Sequence, residues 1–335
     1  MPKKILVIRA GQLGDTVYAS SIIEPLRHRF GSDCIIDWVG KTGIVRVYSE
    51  DSRINRIFEV KSRNTPLFFN PDKLRIIWHA FFQPYDYIVN LELGNIFNSL
   101  VRLCRSSHKI GMPYRYFEEP KTTHAVDNLK IIYRSFLDDD DMTLAYPAIS
   151  GTHPDTVREK FKLAGDFYVL VPANSHMHKT GTINHRAWPL DHWCRLFKLL
   201  EKENLQAVII GGEAEQNLFE QHCKLPPNIK DLTGQTSFTE LVGLTKAARG
   251  VITTDTGPSH IASAVDTPVY ALIGPTNYKR TGPYKTEHNV VHILTSNMHC
   301  SPCYHTERLL NCKNNECMQR IIPDEVLQKI LQDRK

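Results

Sequence analysis

Short apolar runs alternate with helical patterns along most of the chain. Lys4–Arg9 (Lys-Ile-Leu-Val-Ile-Arg) is continuous enough to predict a buried parallel strand. Val17, Ile22, Ile23, Leu26 and Phe30 then recur at helical spacing, which predicts a helix over 17–30. Ile35–Val39 and Ile57–Val60 read as strands, and Asp86–Leu91 as another after a helical stretch around Asp72–Phe82. Strand–helix–strand repetition predicts a doubly wound α/β domain.

Residues 137–166 interrupt the alternation with turn-rich, charged sequence, as at a linker or domain edge. The pattern then restarts. Strands are expected at Phe167–Val171, Gln206–Ile210, Gly250–Thr254 and Val269–Ile273, and helices at Leu190–Glu203, Phe238–Ala248 and Pro258–Ala264. An amphipathic helix closes the chain from Pro323. The expected organisation is an N-terminal domain over 1–150, a linker over 151–166, a second domain over 167–322 and a terminal helix over 323–335. A cleft between two such halves, outside the carboxyl ends of the strands, is the expected ligand site.

A chain of 335 residues has room for about two cores. No apolar run approaches the roughly 18 residues of a membrane helix. The opening residues make a poor signal peptide, because Arg9 and Gly11 cut the apolar stretch. Eight cysteines in this setting predict a reducing cytoplasm, with thiols or a metal site rather than structural disulfides. The net charge of +5, with no long basic run, does not call for a nucleic acid but suits an anionic ligand or membrane surface.

Four loops carry candidate chemistry. The first βα turn, Arg9-Ala-Gly11-Gln-Leu-Gly14-Asp15, permits close backbone approach, and Asp15 stands where a helix begins, as a cap or facing a ligand. A dinucleotide fingerprint would need a third glycine, and Asp37 lies inside its strand rather than at the end. Asp255-Thr256-Gly257-Pro258-Ser259-His260 runs from a strand into a helix whose N-terminus suits a pyrophosphate or is simply well capped. Glu215 follows Gly211-Gly212 at a strand end, where a carboxylate meets ribose hydroxyls or solvent. Arg186 precedes Trp188 in a loop where a cation would offset leaving phosphate charge. Cys34, Cys104, Cys194 and Cys223 read as buried thiols. Cys300, Cys303, Cys312 and Cys317 cluster within 18 residues, as a metal site, a thiol-packed knuckle or a local disulfide.

In order and spacing these segments resemble the ADP-heptose glycosyltransferases of family 9, which build the lipopolysaccharide inner core. The resemblance rests on Gly11-Gln-Leu-Gly14-Asp15, Ile36-Asp-Trp-Val39, His124-Ala-Val-Asp127, Arg186-Ala-Trp-Pro189, Gly211-Gly212, Asp255-Thr-Gly-Pro-Ser-His260, Gly274-Pro-Thr276 and the cysteine tail through Met318. It implies a GT-B architecture, two Rossmann-like doubly wound domains facing across a cleft. The acceptor, a lipid A–Kdo or core oligosaccharide, would bind the first domain and ADP-heptose the second. Transfer would invert the sugar and need no cofactor, with zinc or iron confined to a structural role at the cysteines. The implied base is Asp15, with Arg186 facing the donor phosphates. Gly14, Asp255, Thr256, Gly257 and His260 would surround the nucleotide-sugar, and Glu215 and Thr236 would lie near ribose and adenine. The implied location is cytoplasmic, peripheral on the inner face of the inner membrane. The loop from Asn174 to His185 is longer than in the family, which bears on the phosphate contacts and the donor sugar. Competing readings are the same donor chemistry on a protein or another glycan, a non-catalytic nucleotide-binding module, and an oxidoreductase. The basic residues Arg27, Arg29, Lys61, Arg63, Arg102, Arg105, Lys109 and Arg115 would meet phosphate or acidic sugars, or only solvent.

Overall fold

The computed structural model describes residues 1–118, 120, 122–174 and 183–334. The chain forms two compact units, Met1–Gly151 and Thr152–Lys335. The first holds β1 (Lys4–Ile8), α1 (Leu13–Ala19), α2 (Ile23–Phe30), β2 (Ile35–Lys41), β3 (Arg56–Val60), α3 (Pro71–Phe82), β4 (Tyr85–Asn90), α4 (Asn98–Leu103), β5 (Ser106–Gly111), α5 (Ala125–Tyr133) and α6 (Asp139–Thr143). Its strands form one parallel sheet in the order β3-β2-β1-β4-β5. In register, Leu6 stands between Asp37 and Ile88. Leu6, Ile8, Val39, Ile76, Ile88 and Leu100 share one apolar cluster under α3 and α4.

The helix expected over 17–30 is two helices joined by a 3₁₀ turn at Ser20–Ile22. Pro25 has no N–H to continue an α-helical ladder through that turn. The Ser20 hydroxyl donates to the carbonyl of Val17 at 2.6 Å. Asp37 confirms its internal position. It is buried in mid-strand and accepts a 2.7 Å bond from the Tyr85 hydroxyl, so it cannot serve a ribose.

The second unit holds α7 (Pro154–Lys160), β6 (Phe167–Val171), α8 (Leu190–Lys202), β7 (Gln206–Ile209), β8 (Ile229–Asp231), α9 (Phe238–Ala247), β9 (Gly250–Thr254), α10 (Gly257–Ala264), β10 (Val269–Leu272), α11 (Tyr278–Thr281), β11 (Val291–Leu294), α12 (Glu307–Leu310), α13 (Glu316–Gln319) and α14 (Pro323–Gln332). Its parallel sheet has the order β11-β10-β9-β6-β7-β8. Trp193, Phe197 and Leu200 of α8 share a core cluster with Val326, Leu327 and Ile330 of the terminal helix.

Three sequence expectations are corrected. Residues 151–166 are not a linker, because α7 is an integral helix of the second unit with Val157 fully buried. The Asp138–Asp141 run is the start of α6 rather than linker: Asp138 pairs with Arg29 at 2.8 Å and Asp141 with His28 at 2.7 Å. Cys194 and Cys223 are joined in a disulfide, not left as thiols. Packing of Phe197 against Phe219, with ring centroids 4.9 Å apart, brings these two segments together, which no local spacing foretells.

The α7–α9 contact is close enough to test. A Cβ on Gly243 would lie 2.2 Å from the Thr152 carbonyl oxygen and 3.1 Å from a Val157 methyl. Gly243→Ala should therefore cost about 1–3 kcal/mol through overpacking, despite the better helix propensity of alanine. Urea unfolding measures it, and an unchanged midpoint would show that α7 yields without loss.

Candidate active site

In a doubly wound sheet, ligands gather where the strand order reverses, beyond the carboxyl ends of the strands. That point lies between β1 and β4 in the first sheet and between β6 and β9 in the second. The expected catalytic residues fall at these two places.

Asp15 stands in the first turn of α1, which follows β1. Its Oδ1 accepts a 2.8 Å bond from Arg9, and its Oδ2 accepts from the Gln12 N–H at 3.1 Å. Arg9 also donates to the Leu91 carbonyl, just past β4, at 2.8 Å. Glu92 accepts from the Ala10 N–H at 2.6 Å and from Arg63 at 3.0 Å. The carboxylate is thus both helix cap and ion-pair partner, held by one donor on each oxygen. A Cβ on Gly11 would lie 2.4 Å from Cβ of Asp15, so the glycine gives this carboxylate its place. Gly14 adjoins Asp15 in the same turn.

In the second unit Arg186, from the loop after β6, meets the end of β9. It donates to the Asp255 carbonyl at 3.1 Å and lies 3.6 Å from the Asp255 carboxylate. Asp255 is 8% exposed. Thr256 occupies the N-cap position of α10 in extended conformation, but its side chain makes no capping bond. The Thr256 hydroxyl turns instead to Thr253 at 3.1 Å. A helix start without its own side-chain cap, one turn from a guanidinium, is suited to an anion. Gly257 opens the helix, and His260 is buried in it. The neighbouring Ser259 hydroxyl donates to the Thr256 carbonyl at 2.7 Å.

Glu215 and Thr236 lie in the loops after β7 and β8. The Gly234 N–H donates to the Gly211 carbonyl at 2.9 Å, which ties the two loops together. The Glu215 carboxylate accepts from the Gly212 N–H. Thr236 precedes Ser237, the N-cap of α9. Of the long loop, residues 175–182 lie outside the described residues.

Cys300, Cys303, Cys312 and Cys317 are free thiols. The Cys317 thiol is pushed up to about 11 by burial, with Cys303, Cys300 and Cys312 adding to the effect. Among the described residues, no three His, Cys, Asp or Glu side chains are arranged to hold a metal ion. The cysteine segment is bonded to the loops at 184–187 and 274–276. The N–H groups of Cys303 and Tyr304 donate to the Pro275 carbonyl at 2.8 and 2.9 Å, and Asn315 donates to the Ala187 carbonyl at 3.2 Å. Tyr304 places its ring 5.2 Å from the Arg186 guanidinium carbon. Sequence reasoning missed Tyr304, Arg9 and Glu92. The signal for Tyr304 was its position directly after Cys303; that for Arg9 was a cation at the end of a buried strand.

A family model for glycosyltransferase family 9 (heptosyltransferase) matches residues 105–314. Lipopolysaccharide heptosyltransferase 3 of Escherichia coli K12 is 24% identical over 315 residues, 87% of this chain and 88% of that protein. The structure of E. coli ADP-heptose lipopolysaccharide heptosyltransferase II matches with a TM-score of 0.76 at 19% identity, covering 99% of this chain and 100% of that one. The iron-containing dodecameric glycosyltransferase TibC of enterotoxigenic E. coli H10407 matches with a TM-score of 0.58 at 14% identity, covering 100% of this chain and 77% of that one. At these identities the structural likeness is one of fold, the GT-B architecture.

Burial raises the Asp255 carboxyl above the ordinary value of 3.8, opposed by Arg186 and Thr276. The native state thus holds this proton more tightly than the unfolded chain. Its contribution to stability is complete below the unfolded value and is lost as pH rises through the native one. Urea unfolding of wild type and Asp255→Asn across the acid range should show wild type losing stability relative to the variant as pH rises. A difference that grows in the opposite direction would mean that Arg186 outweighs burial.

Proposed function

Since the chain belongs to glycosyltransferase family 9, the heptosyltransferases, we propose that this transferase moves heptose from ADP-heptose onto the lipopolysaccharide inner core. The observation that carries the reading is the Arg186 guanidinium bonded to the end of β9, at the start of α10. Arg186 and the N–H groups of α10 are the positive groups suited to a nucleoside diphosphate. Glu215 and Thr236, at the adjoining strand ends, are the candidates to face ribose and adenine.

In the proposed step the acceptor hydroxyl attacks the anomeric carbon from the face opposite the diphosphate. The new C–O bond forms as the bond to the β-phosphate oxygen breaks, and ADP leaves with the electron pair. Asp15 takes the hydroxyl proton. Each of its oxygens carries one donor and so keeps a lone pair for that proton. Arg186 and α10 take up the charge that grows on the leaving phosphate.

The cysteine segment has a structural role in this reading: it holds Tyr304 against Arg186 and fastens the loops at 184–187 and 274–276. Four thiolates in one segment have the donor chemistry of an iron or zinc site, and an ion there would cross-link the segment. The acceptor is lipid-linked, which calls for a peripheral position on the inner membrane. No described helix is long and apolar enough to cross a membrane.

Mass spectrometry of ADP-heptose turnover against a panel of truncated lipid A–sugar acceptors tests the assignment. Turnover only with a protein or another glycan would keep the donor and reassign the acceptor. Asp15→Asn should lower turnover about 10²–10⁴-fold with ADP binding nearly intact. Retention of more than about a tenth of the rate would leave Asp15 as a helix cap alone, since loss of a general base costs at least 10²-fold. Complete loss in EDTA with rescue by magnesium would overturn the roles given to Arg186 and α10.

Cys303→Ser should lower the melting temperature, with turnover per folded molecule falling less. Elemental analysis of fresh protein reads any iron or zinc directly. An unchanged melting temperature with no turnover would place the cluster in the chemistry instead.

A further inference from the structure

The helix α3 is apolar on two opposite sides. Ile76 and Ala80 are buried against the first sheet, in the cluster that also holds Phe58, Ile88 and Leu100. Trp78, Phe81 and Phe82, on the other side, are 68%, 60% and 62% exposed. Phe68 and Phe69, in the turn just before the helix, are 81% and 80% exposed. The outer rings touch one another, Trp78 and Phe82 at 4.9 Å and Phe81 and Phe82 at 5.2 Å between centroids. A helix apolar all round belongs in an interior, and a contiguous exposed aromatic patch marks a binding surface.

Exposed cations outnumber carboxylates around this patch, although Asp72 in the first turn of α3 accepts from the Lys61 N–H at 2.9 Å. Lys61 and Arg75 are exposed beside it, and Arg102 and Arg105 are exposed on and just after α4, which packs against α3. Among the described residues none of these four makes an ion pair. No Asp or Glu occurs from residue 93 to 117, a stretch that includes Arg102, Arg105, Lys109 and Arg115. Leu103, between the two arginines, is also exposed.

We propose that the outer face of α3 with the preceding turn, flanked by these cations, docks the protein on an anionic lipid bilayer. This rests on the reading that the acceptor is lipid-linked. Aromatic side chains would enter the boundary between headgroups and acyl chains, while lysine and arginine meet lipid phosphates. A second copy of the chain fits the face less well. A two-fold interface presents the same patch on both sides, so Lys61, Arg75, Arg102 and Arg105 would confront like charges in excess of the nearby carboxylates Glu59 and Asp72.

The test is co-sedimentation of the full chain with phosphatidylcholine vesicles containing about a third phosphatidylglycerol, and with pure phosphatidylcholine, without donor or acceptor. The wild type should partition onto the anionic vesicles at least about tenfold more strongly, and lose most of that on going from about 0.1 M to 1 M salt. Trp78→Ser combined with Phe81→Ser should reduce binding about tenfold or more, because two aromatic anchors are removed. Arg75→Gln should weaken binding to anionic vesicles only. Both variants should turn over a deacylated, water-soluble acceptor at the wild-type rate. That second measurement separates failure of the docking face from failure of the transferase reading. Equal binding of wild type and the aromatic variant, or no binding by either, overturns the proposal. So does a wild-type dimer by light scattering that the aromatic variant dissolves.

Discussion

In each unit an arginine spans the place where the strand order reverses. Arg9 reaches from the end of β1 to the Leu91 carbonyl beyond β4, and Arg186 reaches from the loop after β6 to the Asp255 carbonyl beyond β9. Strand ends diverge at such a point, and their last carbonyls have no ladder partner. A guanidinium, with several donors in a rigid plane, can bond a backbone carbonyl and still face a carboxylate. Each arginine does both, with Asp15 in one unit and Asp255 in the other. A lysine in either position would offer a single compact charge and could not fix both partners at once.

The two carboxylates have opposite surroundings. Asp15 is the more exposed, with a side chain 40% accessible. Asp255 is buried and immediately precedes Thr256, the N-cap of α10. Its carboxylate lies 3.6 Å from the Arg186 guanidinium. The cysteine segment supports the same arginine from the far side through Tyr304.

The outer face of α3 is the other feature that stands apart from the sheet cores. Burial of Ile76 and Ala80 accounts for the helix, but not for the aromatic residues on its opposite side.

The central strands were legible because burial on both faces makes them continuous apolar runs. β1, β6 and β9 are examples, flanked on either side by other strands. β5, β8 and β11 were not foreseen, and all three are edge strands. Ser106–Gly111 is polar because one edge and part of its surface meet solvent, and Ile229–Asp231 is only three residues long. The helix α7 escaped notice because a single buried valine sets no period. The disulfide between Cys194 and Cys223 depends on packing across 29 residues of chain, which spacing cannot reveal. The candidate loops were legible as residue types: a carboxylate after β1, a Thr-Gly-Pro helix start after β9, a cation after β6. Their partners were not. Sequence determined which strands are central and which loops end at their carboxyl edges, since both are written in local hydrophobic pattern and turn chemistry. Only the tertiary structure decided that Arg9 holds Asp15 and that Arg186 lies between Asp255 and Tyr304, because those contacts join residues that strand order, not chain order, makes neighbours.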